Sequence, residues 1–169
     1  MVSKISLADV GRDLLSGDAV AAIIELDDGR YAMQLRDDLP SVWYPGQWGC
    51  FGGALDAGED CETALRRELF EELEFVPSSV EYFTSIEFDM TVLGQGSCRR
   101  AYYVVRATGA EFAGFVLHEG QEIAALTGSQ ILDEVRTTPY DAFALFLYHN
   151  RGRFRERDER GNSGANGSI

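Results

Sequence analysis

Apolar and polar positions alternate along this chain with two different periods, and the switches between them divide it into elements. Ala19 to Leu26 is apolar and β-branched, Asp27-Asp28-Gly29 supplies a turn, and Arg30 to Arg36 alternates. That pattern predicts a β-hairpin. Residues 37–47, with two prolines and Gly46, read as a loop, and Trp48 to Gly53 as a short strand running into glycines. From Gly58 to Phe75 the period changes: Leu65, Leu69 and Leu73 recur every four residues and predict an amphipathic helix. Val80 to Met90 and Arg99 to Ala107 read as strands, Ala110 to Gly114 as a turn, and Phe115 to His118 and Ile123 to Leu126 as short strands around Glu119-Gly120. Thr138-Pro139 opens a last helix over 140–150, because proline suits a helix's first turn.

The flanks differ from this body. Residues 1–18 carry Leu7, Val10, Leu14 and Leu15 at helical spacing and predict a short helix or arm. Residues 151–169 hold five arginines against three acidic residues and end rich in Gly, Ser and Asn, the composition of a solvated tail. A single domain over 19–150 accounts for the rest, with no internal repeat.

Charge narrows the function. The 169 residues carry 28 acidic and 15 basic side chains, a net −13 and a pI near 4.5. This disfavours nucleic acid and anionic membranes as partners, since both are held by clustered Lys and Arg. Phosphates remain open as ligands, provided a cation mediates. The three cysteines, Cys50, Cys61 and Cys98, are odd in number and lack CxxC spacing, which predicts reduced thiols in a cytoplasmic protein. No signal-peptide layout opens the chain and no apolar run approaches the ~20 residues of a membrane span.

The chemistry concentrates on the helix after Gly58. At about 100° per residue, with Leu65 at zero, Leu69 and Leu73 fall near 40° and 80°, and Glu71, Glu68 and Glu72 near 240°, 300° and 340°. Three carboxylates therefore crowd one arc beside the buried stripe. Like charges three and four residues apart repel. A divalent cation with a taste for hard oxygen ligands, Mg²⁺ or Mn²⁺, relieves that repulsion.

The full spacing is more specific. Gly53, five residues, Glu59, seven residues, Arg67-Glu68-Leu69, one residue, Glu71-Glu72, one residue, Glu74, then Phe75 resembles the Nudix hydrolase signature, G-x5-E-x7-R-E-U-x-E-E-x-G-U. Only the final Gly departs, replaced by Glu74. A glycine at a helix end often takes the left-handed conformation, and another residue there costs roughly 1 kcal/mol unless the helix runs on. Altered geometry, not lost activity, is expected.

The resemblance implies an α/β fold, a Nudix-type α/β/α sandwich with a mixed β-sheet between helices. It implies a metal-dependent pyrophosphohydrolase that cleaves the diphosphate of a nucleoside diphosphate linked to a further group by water attack. A nucleotide sugar, an ADP-ribose-like molecule and a modified nucleoside triphosphate all remain open as substrate. Glu68, Glu71 and Glu72, with the Gly52 carbonyl, become metal ligands for Mg²⁺ or Mn²⁺. Glu119, in the later loop His118-Glu119-Gly120-Gln121-Glu122, becomes a further ligand or base. Catalysis falls to Glu72, Glu71 and Glu119. Glu59, Arg67 and Gly53 take structural or orienting roles. Arg36, Trp43, Tyr44 and Phe51, before and around the signature, are expected at the substrate, and Arg99 or Arg100 is a further candidate for a phosphate. Family members are often dimers, which leaves a homodimer open. The alternative is a non-catalytic Nudix-like nucleotide-binding regulator, which should have lost signature glutamates that this chain keeps. A Nudix-fold isomerase would need metal-binding histidines and a catalytic cysteine with no evident counterpart here.

Overall fold

The computed structural model describes residues 18–89 and 97–154; the expected N-terminal arm and most of the expected tail lie outside them. The elements run β1 (Ala19–Leu26), β2 (Tyr31–Leu35), β3 (Trp48–Gly49), α1 (Cys61–Leu73), β4 (Val80–Asp89), β5 (Ser97–Ala107), α2 (Gly109–Ala113), β6 (Glu122–Leu126), a single π-helical turn (Gln130–Glu134) and α3 (Pro139–His149). The sheet is ordered β3-β2-β1-β5-β4, with β6 also paired to β2. It is mixed: β1 and β2 form the expected antiparallel hairpin, with Gly29 at φ 83 in its turn, while β1 and β5 run parallel from Ala19↔Arg100 to Leu26↔Ala107.

The apolar run of β1 is explained by burial on both faces. Successive side chains point to opposite sides of a strand. Val20, Ala22, Ile24 and Leu26 pack with Ala101, Val105 and Ala107 against Ala64, Leu65, Leu69 and Leu73 of α1. Ala21 and Ile23 pack with Tyr102, Val104, Tyr31 and Met33 against Ala144, Leu145 and Tyr148 of α3. One helix covers each face, which is the expected α/β/α sandwich. Among the described residues, no helix is long and apolar enough to cross a membrane.

Helix α1 starts where Asp60 accepts hydrogen bonds from the backbone N–H groups of Glu62 and Thr63. It stops at Leu73 because Glu74 turns left-handed, at φ 53 and ψ 27. Glu74 therefore keeps the glycine conformation without being glycine, and its carboxylate meets His118 Nε2 at 2.9 Å. Glu74→Gly is expected to relieve about 1 kcal/mol of backbone strain, against a smaller loss from an exposed pair. The melting temperature should rise by a few degrees; a fall would mean the His118 contact outweighs the strain.

Several expected elements differ. Past Gly49 the expected strand leaves β2 and runs beside β1, where Ala22 and Val20 donate their N–H groups to the carbonyls of Phe51 and Gly53, each at 2.9 Å. The expected turn at 110–114 is the helix α2, fixed by a reciprocal cap between Thr108 and Glu111. Residues 115–118 form no strand. Val116 and His118 instead donate backbone N–H groups to Leu73 and Glu72 carbonyls, at 3.1 and 2.9 Å. The open carbonyls at the end of α1 capture them. The chain does not leave the body at Asn150: residues 151–154 stay helical, and Arg151 lies 3.8 Å over the Tyr148 ring and pairs with Glu25 at 3.6 Å.

Candidate active site

The glycines before α1 bring the chain under its carboxylates. Gly52 sits at φ 128, and a Cβ there would lie 2.4 Å from the Val20 carbonyl oxygen. A Cβ on Gly53 would lie 2.5 Å from Glu68 Oε1. Glycine is required at position 52 by conformation and close approach, whereas a side chain at position 53 would displace the Glu68 carboxylate.

Glu72 is 5% exposed, and its Oε2 accepts a hydrogen bond of 2.9 Å from the Gly52 N–H. Burial pushes its pKa up to about 8; the negative charges of Glu119 and Glu68 add to the rise, and the Gly52 bond and Arg100 oppose it. Glu68, half-buried, is also raised, by burial first, with Glu71 and Glu119 contributing against Arg67. Three carboxylates thus feel one another at the same place.

Arg67 organises the outer side. Its Nε and Nη2 donate to Glu59 at 3.1 and 2.9 Å, and its Nη1 donates to Glu68 at 2.8 Å and Glu71 at 3.2 Å. Glu71 is largely exposed, as the helical wheel allows. Among the described residues no three His, Cys, Asp or Glu side chains form a ready metal cage. Arg67 draws Glu68 and Glu71 towards itself, and Glu72 stands apart beneath Gly52.

Glu119 arrives from a distant loop. Besides the His118 bond to the end of α1, Gln34 Nε2 donates to the Glu119 carbonyl at 2.8 Å and Gln121 N–H to Leu35 at 2.8 Å. Gly120, at φ 87, allows the sharp turn against Gln34. The structure therefore brings Glu119 into the field of Glu68 and Glu72.

The substrate candidates divide. Arg36 Nε donates to the Trp43 carbonyl at 2.8 Å and holds the loop over 37–47. Trp43 is 36% exposed. Tyr44 takes a left-handed φ of 54 and sets its ring edge-on to Tyr140, 5.6 Å away. Phe51 is a correction: it is fully buried in the core between β1 and α1, so it packs and does not meet a ligand. Its backbone pairs with Ala22 beside β1, and the side chain faces α1.

Sequence reasoning missed Asp141. This residue is fully buried, and its carboxylate accepts hydrogen bonds from Cys50 N–H at 2.9 Å, Thr138 Oγ1 at 2.8 Å and Tyr102 OH at 3.0 Å. Arg100 Nε lies 3.5 Å away. Burial works against the Arg100 charge, but Asp141 and the neighbouring groups outweigh it and its pKa is raised. Burial, with Asp141, also drives the Cys50 thiol and Tyr102 hydroxyl well above their ordinary values. The local spacing Thr138-Pro139-Tyr140-Asp141 signals a helix start and carries nothing about the bonds to Cys50 and Tyr102.

A mixed sheet between two helical layers, with a glutamate-rich helix packed on a glycine turn, defines a Nudix-type architecture. A NUDIX domain profile matches residues 15–154; the chain belongs to the Nudix family. It is 47% identical over 47 residues to the nucleoside triphosphatase NudI of Escherichia coli O139:H28 (strain E24377A / ETEC), an alignment spanning 28% of this chain and 33% of that relative. The alignment thus spans about a third of the length of the curated relatives it matches. The solution structure of the E. coli ORF135 protein superposes with a TM-score of 0.65 at 26% identity, covering 82% of this chain and 91% of that one. The NUDIX domain of Shewanella oneidensis NrtR, solved with ADP ribose, superposes with a TM-score of 0.64 at 16% identity over 83% and 90% of the two chains, a likeness of fold.

Proposed function

We propose that this protein is a metal-dependent pyrophosphohydrolase that splits the diphosphate of a nucleoside diphosphate linked to a further group. The observation that carries the reading is the convergence of Glu68, Glu72 and Glu119, with Glu72 pushed up to a pKa of about 8 by burial first and by the charges of the other two second. The 47-residue likeness to a nucleoside triphosphatase supports a nucleotide as substrate.

The donor set fits Mg²⁺ or Mn²⁺. It is all hard oxygen, and its unbalanced negative field is what a divalent cation neutralises. Glu68, Glu71, Glu72 and Glu119 would hold the ion, with the Gly52 carbonyl as the further ligand the resemblance implies. When bound, such an ion screens the phosphates and lowers the pKa of the attacking water. Around it the protein's own groups have distinct tasks. Gly52 N–H and Gly53 fix the carboxylates of Glu72 and Glu68. Arg67 holds Glu68 and Glu71 for exchange between guanidinium and cation, and Glu59 keeps Arg67 in place. Glu119, exposed on its loop, is the group placed to take a proton from water.

The test is a panel of nucleoside triphosphates, nucleotide sugars and dinucleotides with Mg²⁺ or Mn²⁺, read as released phosphate or nucleoside monophosphate. Turnover of at least one class, abolished by excess chelator, is expected. Undiminished turnover in chelator, or a dead panel, would refute the reading.

A further inference from the structure

Glu74 carries backbone strain that stability alone does not explain. It holds φ 53 and ψ 27 at the end of α1, a conformation that glycine adopts freely. For a residue with a Cβ, that conformation costs more than an exposed ion pair returns. The partner of Glu74 is His118, and both side chains are exposed. Strain kept in a residue other than glycine clusters at functional sites. Position 74 is also where this chain departs from the Nudix signature.

The contact is made to the loop that carries Glu119. His118 is bonded to the end of α1 twice: its backbone N–H donates to the Glu72 carbonyl and its Nε2 donates to Glu74 Oε1, each at 2.9 Å. The far side of the loop is bonded to β2 and the residue after it. Gln34 Nε2 donates to the Glu119 carbonyl, and Gln121 donates its N–H to the Leu35 carbonyl and its Nε2 to the Arg36 carbonyl, each at 2.8 Å. Glu119 is thus slung between α1 and β2, and its charge acts on Glu68 and Glu72 of that same helix. The backbone bond of His118 sets where the chain passes α1. The ring bond adds a second point of attachment, which restricts rotation of the segment about the first.

We infer that Glu74 is a positioning residue: through His118 it holds the Glu119 loop on the last turn of α1, and so keeps the Glu119 carboxylate at Glu68 and Glu72. This deepens the hydrolase reading and rests on it, with Glu119 as the group that takes a proton from water. A glycine at position 74 would relax the backbone but has no side chain with which to hold His118. The chain therefore gives up some stability to fix the loop, a common trade at functional sites. Glu74 touches neither water nor substrate in this account and acts through its neighbour.

Three variants of the full chain separate the contact from the strain. Glu74→Ala loses the contact and keeps the strain, Glu74→Gly loses both, and Glu74→Gln keeps an acceptor for the His118 Nε2–H. Amide hydrogen exchange in chelator reads the loop at His118 and Gln121 and the core at Ala22, all three hydrogen-bonded in the fold. Loop exchange is expected to quicken about two- to fivefold in both Glu74→Ala and Glu74→Gly, the scale of one exposed pair. In Glu74→Gly the Ala22 amide should instead slow, because the fold as a whole gains stability. Glu74→Gln should keep the wild-type rates. In the metal-activated assay kcat should fall by a similar factor in the Ala and Gly variants at unchanged KM, and Glu74→Gln should restore it. Should Glu74→Ala not fold, Glu74→Gly decides. Loop and core amides shifting together in Glu74→Gly, loop rates equal to wild type, or Glu74→Gln behaving as Glu74→Ala would overturn the inference; so would faster loop exchange with unchanged kcat in an active enzyme. The expected exchange in a protein that hydrolyses nothing keeps the tether and loses the hydrolase reading, and amides that shift together in an active enzyme do the reverse.

Discussion

Glu72→Gln is expected to make the metal-free protein more stable and the enzyme nearly inactive. The wild-type carboxyl ionises near 4.5 when solvated and at about 8 in the fold, so the folded state binds its proton more tightly than the unfolded state. Its linked stability is fully present below about pH 4.5 and is lost as pH rises towards 8. Glutamine keeps an oxygen for the Gly52 N–H and has no charge to bury. The variant should therefore gain on wild type steadily across that window, reaching about 2–4 kcal/mol near pH 7.5, or roughly 5–10 °C in melting temperature. Hydrolysis should fall by about 10²–10⁴-fold, the scale of a lost catalytic carboxylate. Thermal melts at several pH values in chelator, beside a metal-activated assay, check both halves. A variant that melts lower at pH 7.5 would refute the repulsion account, and one that turns over normally would remove Glu72 from the chemistry.

The opposite outcome is expected at Asp141, another buried carboxylate. Asp141 lies opposite a buried guanidinium and closes three hydrogen bonds from three separate segments, at Cys50, Tyr102 and Thr138. Asp141→Asn removes the counter-charge and one set of lone pairs, and leaves Arg100 ionised in the interior. Removing one partner of a buried pair costs about 3–5 kcal/mol, so the melting temperature should drop by about 10 °C or more. Adding Arg100→Met should cost less than the sum of the two single changes, since the stranded charge is then gone. A single variant melting within about 2 °C of wild type would show that Asp141 is not a structural hub.

The two carboxylates illustrate how far the amino-acid pattern reaches. The period of Leu65, Leu69 and Leu73 placed α1 within a few residues, and the wheel put Glu72 closest to the apolar stripe and Glu71 furthest from it. That order matches the burial found: Glu72 is 5% exposed, while the Glu71 side chain is 57% exposed. The Glu59-Arg67 pair joins two residues to which the resemblance, and not the helical period, gave structural or orienting roles. Asp141 was not legible, because its meaning lies in a bond to Cys50 across 91 positions. Phe51 was misplaced because an aromatic residue beside glycines reads alike whether it faces a ligand or a helix.

The sequence by itself determined the β1–β2 hairpin, the period and carboxylate side of α1, the start of α3 and the family. These are properties of neighbours, set by strand and helix geometry within a few residues. Tertiary structure decided the rest: which glutamate is sealed under Gly52, how the open carbonyls of α1 bring Glu119 back to its partners, and which arginine is buried beside Asp141. Those outcomes depend on contacts between remote segments. They fix burial and local field, and so decide which carboxylates hold their protons and which hydrogen bonds are made.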